Sequence, residues 1–377
     1  MSKARDTADI GDGSGLTGIV IPPAHSPAVP TGATPSLDLG TYNYFRQTLT
    51  ADTTLTFASV PTDARWSYTF NPSVESAYDL TVATTSILNS YSVAGTENQV
   101  FGLFFKPDGT KFWTIGRQLD HINEFSVVVP WDISTTIANS SLLISAQDAN
   151  PSGMFFSPDG LYMYHTGESV DKVHQYTLST AWTLSTASFT RSFSVAGQET
   201  TPNSVFFKAD GLKMYITGSN GDEVNEYDLS TAWNISTAVF LQLFSVATQE
   251  INPRDLFFKS DGLTMFIMGS TGDDMNEYTL TTAWDISTAS FTRLFNFGTE
   301  TNVTAFSFNS DGTSVFVVGT NTNTIREYST GDLTVLTLPA SVQNPPITYV
   351  SSTNTVTYEF STLDGGTNVY LINEEVL

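Results

Sequence analysis

The chain has 377 residues, with 15 Lys and Arg against 38 Asp and Glu, a formal net charge of −23 at pH 7. That balance argues against nucleic-acid binding, which needs basic stripes to displace counterions. With no cysteine, neither a disulfide framework nor a thiolate metal site is available.

Residues 1–35 read as an extended Gly/Pro-rich arm. Gly11–Gly18 is glycine-rich, and Pro22, Pro23, Pro27 and Pro30 favour a polyproline-like linker. The start, Met1–Asp6, lacks the apolar core of a signal peptide, and no apolar run reaches membrane-spanning length. Neither secretory export nor membrane insertion is therefore expected. Residues 36–75 are strand-like and aromatic, with runs at Tyr42–Thr48, Thr53–Phe57 and Trp66–Phe70. Residues 332–377 share that character, with runs at Leu333–Pro339, Thr355–Phe360 and Asn368–Ile372 and a hairpin turn at Asp364–Gly366. Each flank is too short to bury a sheet alone. Together they predict one small β-sandwich, interrupted by an insertion at residues 76–331.

Inside that insertion one pattern recurs five times. Asp-Gly turns at 108, 159, 210, 261 and 311 are spaced by 51, 51, 51 and 50 residues, and Phe-Phe or Ser-Phe precedes each. An aromatic follows at Phe125, Tyr176, Tyr227, Tyr278 and Tyr328, then a tryptophan at Trp131, Trp182, Trp233 and Trp284. Asp-Gly between apolar runs is a hairpin signal, because glycine accepts positive φ without steric cost. Four short strands in each repeat of about 51 residues match one blade of a β-propeller. The fifth copy has three strands (Val303–Phe308, Ser314–Val318, Ile325–Tyr328), and the run Ser86–Val93 before the first copy can supply the fourth. This predicts an all-β fold with a five-bladed ring. A six-bladed ring stays open, because Tyr78-Asp79-Leu80 imitates a third strand.

The repeat sets acids in register. Glu97, Asp148, Glu199, Glu250 and Glu300 fall between one blade's outer strand and the next blade's inner strand. Asp120, Asp171, Asp222 and Asp273, with Asn323 fifth, fall between second and third strands. Both loops emerge at one mouth, so a double ring of carboxylates is expected. Such oxygens could hold calcium or magnesium; the stronger reading is Asx-type turn formation copied into every blade. A third series, Glu124, Glu226, Glu277 and Glu327, interrupted by Gln175, reads as solvated or paired strand residues. The tryptophans read as rim packing rather than a carbohydrate platform. Asp255 is the one irregular inner-strand acid, against Gly102, Gly153, Ser204 and Ala305. One odd carboxylate makes no acid–base pair. His25, His121, His165 and His174 show no metal-ligand spacing, and no nucleophile elbow or phosphate loop occurs. No catalytic residue, no cofactor and no enzyme activity are expected.

Lys3-Ala4-Arg5-Asp6-Thr7-Ala8-Asp9-Ile10-Gly11 resembles the N-terminal anchoring segment of bacteriophage tail-fibre and virion-appendage proteins. Leu49–Phe57, Leu338–Val342 and Thr362–Thr367 are similar to a small β-domain of such fibres, here split by about 255 residues, and the Asp-Gly/Glu-Tyr repeat resembles phage-encoded propeller arrays. The resemblance implies a virion structural protein, made in the host cytoplasm and anchored to other virion proteins through Lys3, Ala4, Arg5, Asp6 and Ile10. It further implies a homotrimeric tail fibre or tail appendage that recognises a host-surface glycan or envelope protein. Capsid decoration, as in a head fibre, is the second expectation, and a polysaccharide depolymerase the third.

Overall fold

A computed structural model of the chain describes residues 77–81, 83–298 and 301–331 in full, and the backbone of the strands in the flanking segments. The chain divides into two compact units, Ser76–Asp332 and the flanking segments on either side of it.

The first unit is a ring of five antiparallel, four-stranded blades. Blade 1 runs outward from Val100–Phe105 through Lys111–Gly116 and His121–Val127 to Thr136–Leu143. Blades 2, 3 and 4 repeat this order from inner strands Pro151–Phe156, Pro202–Phe207 and Pro253–Phe258. Blade 5 has Val303–Phe308, Ser314–Gly319 and Thr324–Ser329, and its outer strand is Ile87–Ser92, from before blade 1. The first strand of the ring thus completes the last blade, which leaves no blade short of a partner.

Tyr78-Asp79-Leu80 is not a third strand. Tyr78 donates its N–H to Gly312 O at 2.7 Å, as Trp131 donates to Gly109 O at 3.1 Å, and both residues have positive φ. Asp79 Oδ1 accepts from Thr81 N as Asp132 Oδ1 accepts from Ser134 N. The segment is the fifth member of the Trp-Asp-Ile series, so it closes a five-bladed ring and begins no sixth blade.

The Asp-Gly turns are built as the sequence demands. Each Asp Oδ1 accepts the N–H two residues on, at 2.9–3.1 Å, and each Gly sits at φ between +70° and +73°. A tryptophan ring lies against the glycine, where a Cβ on Gly160 would approach Trp182 to 2.4 Å. The ring also stacks on Phe156 of its own blade and Phe104 of the previous one, with centroids 5.6 and 6.4 Å apart. The tryptophans are half-buried between blades.

The first phenylalanines of the pairs, Phe104, Phe155, Phe206 and Phe257, meet edge to face at 5.2–5.8 Å. The second ones pack between blades: Phe156 joins Trp113 and Ile115 of blade 1 to Met163 and Tyr176 of blade 2. Each such buried side chain contributes about 1.5–3 kcal/mol of apolar burial.

In the second unit, five strands form one mixed sheet in the order Tyr44–Leu49, Arg65–Pro72, Val356–Ser361, Val369–Val376, Val342–Gln343. Both flanks contribute to it. Two small parallel pairs, Ser36–Asp38 with Thr56–Ala58 and Thr53–Thr54 with Leu336–Thr337, accompany the sheet; a second full sheet is not among the described residues. Of the expected run Leu333–Pro339, Leu333 and Leu336–Thr337 are described, both as strand, and the rest lies outside the described residues. The Gly/Pro arm with its anchoring residues, His25, and the Asp364–Gly366 turn lie outside the described residues.

Candidate functional site

Loops joining outer to inner strands and second to third strands share one mouth of the ring, where the two acidic series meet. Glu97, Asp148, Glu199 and Glu250 are 0–2% exposed. Each staples two loops together. Glu199 Oε1 accepts from Thr201 N at 2.7 Å and Asn220 N at 3.3 Å, while Oε2 accepts from Gly221 N at 3.2 Å. Glu250 repeats this with Asn252, Thr271 and Gly272, and Asp148 with Asn150, Ser169 and Val170. Their oxygens are occupied by backbone donors. Glu300 lies outside the described residues.

Asp120, Asp171, Asp222, Asp273 and Asn323 all sit at φ between +47° and +53°, the left-handed conformation that Asp and Asn tolerate. The carbonyls of Asp120, Asp171 and Asp222 accept from Ile144, Val195 and Val246 at 2.9 Å. Side chains differ by blade. Asn323 Oδ1 accepts from Val100 N at 3.3 Å and Asp273 Oδ1 from Val303 N at 3.2 Å. At the equivalent place blades 2–4 have Pro151, Pro202 and Pro253, which carry no N–H. Asp120 Oδ1 and Asp222 Oδ1 are consequently buried without a partner. Burial first, then the charge of Asp148, raises the pKa of Asp120; burial, then Glu199 and Glu250, raises that of Asp222. Among the described residues no group of three or more His, Cys, Asp or Glu is arranged to hold a metal ion.

In the third acidic series Glu124, Glu226 and Glu277 are paired with basic side chains. Glu226 is fully buried, paired with Lys213, and accepts from Ile286 N of the next blade at 3.4 Å. Glu124, paired with Lys111 at 2.9 Å, accepts from Leu184 N at 2.8 Å. These acids link neighbouring blades.

Nearer the axis the repeat breaks. Its inner-strand column reads Phe101, Ser152, Asn203, Arg254, Thr304, and the column after the second strand reads Arg117, Glu168, Ser219, Ser270, Thr320. Arg117 forms a bidentate pair with Glu168 of blade 2, one arm at 2.9 Å, and its guanidinium lies 3.6 Å over the Phe101 ring. Arg254 of blade 4 approaches the same carboxylate at 3.8 Å and donates to Asn203 Oδ1 at 3.2 Å and Ser270 Oγ at 3.3 Å. Burial, then repulsion from Arg117, lowers its pKa. Two guanidiniums thus share the Glu168 carboxylate beside an aromatic ring, and Glu250 also acts on Arg254. Sequence reasoning passed over this group because it followed what the repeat copies; aligning the five copies for what they do not copy would have found it.

Below the mouth neighbouring inner strands pack closely. A Cβ on Gly153 would meet Ser204 Cα at 2.4 Å, so inner strands are in backbone contact there. Asp255 bridges blades: Oδ1 accepts from Ser204 Oγ at 2.5 Å and Leu256 N at 2.9 Å, and Oδ2 from Phe306 N at 2.9 Å. Burial pushes its pKa up to about 7.

No protein-family model matches the sequence, and no curated protein does. Solved structures of similar fold include a functionally unknown protein from Desulfotomaculum acetoxidans DSM 771, at 9% identity and TM-score 0.37 over 73% of this chain and 69% of that one. A candidate 6-phosphogluconolactonase from Bacteroides uniformis ATCC 8492 aligns at 16% identity and TM-score 0.40, covering 60% and 66%. Kuenenia stuttgartiensis hydrazine synthase aligns at 13% and 0.39, covering 73% and 66%.

Proposed function

We propose that this chain is a non-catalytic recognition protein, an appendage of a phage virion that meets the host surface through the mouth of its propeller. The observation that carries the reading is the broken repeat at that mouth. A scaffold copied five times has diversified where Phe101, Arg117, Glu168 and Arg254 converge, and rigid elements with a varied rim suit binding. The irregular acid that a hydrolase reading would need, Asp255, is buried and bonded between blades. The virion setting rests on the resemblance of Lys3–Gly11 and the flanks to fibre segments, and trimerisation and anchoring through the arm belong to that same proposal.

Immunogold electron microscopy with antibody against the propeller tests the setting. Label at the tail or baseplate is expected, while label spread over the capsid moves the protein to a decorating role. Purified chain should compete with virions for adsorption to host cells, and Arg254→Ala should abolish that competition. Release of reducing sugar from host envelope would instead establish a depolymerase.

A further inference from the structure

The inner-strand column at the mouth, Phe101, Ser152, Asn203, Arg254 and Thr304, divides by what its side chains do. Three of them tie their own blade to the next. Ser152 Oγ donates to Pro202 O at 2.8 Å, Asn203 Nδ2 to Pro253 O at 2.9 Å and Thr304 Oγ1 to Val100 O at 2.8 Å. All three are 0–2% exposed. Phe101 and Arg254 make no such link, and they are the two members of the column that keep solvent exposure.

Arg254 is nonetheless held in place. Nε donates to Ser270 Oγ at 3.3 Å and Nη1 to Asn203 Oδ1 at 3.2 Å, so two neutral partners fix the guanidinium plane. Nη2 has no partner among the described residues and stays open to solvent. The neighbouring acids do not satisfy it. Arg117 takes both oxygens of Glu168, and Arg254 stands 3.8 Å from that carboxylate, beyond hydrogen-bonding distance. Glu250 gives its oxygens to the N–H groups of Asn252, Thr271 and Gly272. Burial and repulsion from Arg117 outweigh both carboxylates, so the Arg254 pKa is lowered. What such a guanidinium lacks is a charged acceptor of its own.

We propose that the mouth binds a singly charged carboxylate, to which Arg254 donates from Nη2. This rests on the reading of the mouth as the recognition surface and names the chemistry recognised there. Phe101, with its ring centroid 5.9 Å from the Arg254 guanidinium, gives the carbon skeleton of the ligand an apolar neighbour. A phosphate dianion would set a second charge against Glu168 and Glu250, which one free nitrogen does not offset. The net charge of −23 is screened beyond about 8 Å at physiological salt, so contact decides capture.

The test is ligand-detected NMR on the full chain with two carboxylates, glucuronate and N-acetylglycine. Each is run beside its neutral counterpart, glucose or N-acetylglycinamide, with glycerol phosphate as the dianion. At least one carboxylate should bind, and its neutral counterpart and the phosphate should bind about tenfold more weakly or not at all. A response to glucuronate alone supports the site with an acidic sugar as the source, and a response to N-acetylglycine alone supports it with a peptide terminus. Arg254→Asn places the residue of blade 3 at this position and should abolish the response with the melting temperature kept. Should that variant not fold, Ser270→Ala, which frees Arg254 Nε, should weaken binding several-fold. The proposal is overturned by silence from both carboxylates, by equal binding of the neutral counterparts or of phosphate, or by a response unchanged in the folded variant. Carboxylate binding in a chain that fails to compete with virions for adsorption would overturn the host-recognition reading and leave this site standing.

Discussion

Asp255 stands on the inner strand of blade 4 where the other blades place Gly102, Gly153, Ser204 and Ala305, and among the described residues its carboxylate has no salt-bridge partner. Its folded pKa, about 7 against 3.8, is raised, so the native state binds the extra proton and stability falls as pH rises between those values, then levels. Asp255→Asn should therefore gain on the parent by about 1.4 kcal/mol per pH unit from pH 5 to 7 and no further above; a constant difference in denaturant titrations would refute it. His165 and His174 work with the opposite sign. They are paired across the ladder and stack at 4.7 Å, a proximity invisible in their spacing. Burial lowers their pKa values to about 3 and about 4, with Lys172 opposing and Asp148 favouring charge on His174. Below the unfolded pKa of 6.5 the unfolded state takes up protons first, so stability drops on acidification. His165→Ile with His174→Asn, the residues other blades use, should flatten that acid limb, measured as the melting temperature between pH 4 and 7.

At the scale of the element, the Asp-Gly hairpins and tryptophans were legible in the sequence because their chemistry is local. The turn needs a positive φ, the aspartate reaches two residues ahead, and the tryptophan covers the glycine that cannot carry a Cβ. The carboxylate rings were legible in position but not in partner. Glu199 serves as a staple for three backbone N–H groups. Glu199→Ala should orphan them and cost about 1–3 kcal/mol, whereas calcium or chelator should leave the parent's melting temperature unchanged. A rise with calcium would show that an ion competes for those oxygens. The Glu124 series was expected to be solvated or paired, and Glu124 and Glu226 are paired with Lys111 and Lys213; strand alternation does not reveal that they also accept the N–H of Leu184 and Ile286 across the blade interface.

For the whole molecule, closure is the decisive long-range contact. Ile87–Ser92 pairs with Thr324–Ser329 across more than two hundred residues, so the cost of joining the ends is borne once by the complete ring. Two cysteines replacing Asn89 and Glu327, which face each other in that ladder, should form a disulfide and raise the unfolding midpoint. A chain beginning at residue 93 should lose blade 5 and unfold non-cooperatively by calorimetry; an unchanged single transition would show that closure is dispensable. The sequence by itself determined the repeat length, the four-stranded blade, five copies and the donor of the closing strand, because each depends on local turns and periodic apolar residues. It left five against six blades open. Tertiary structure decided that, by placing Tyr78 over Gly312 as the fifth tryptophan substitute. It also decided the mouth, since Arg117, Glu168 and Arg254 come from three blades, and only ring closure brings such distant residues within ion-pairing range.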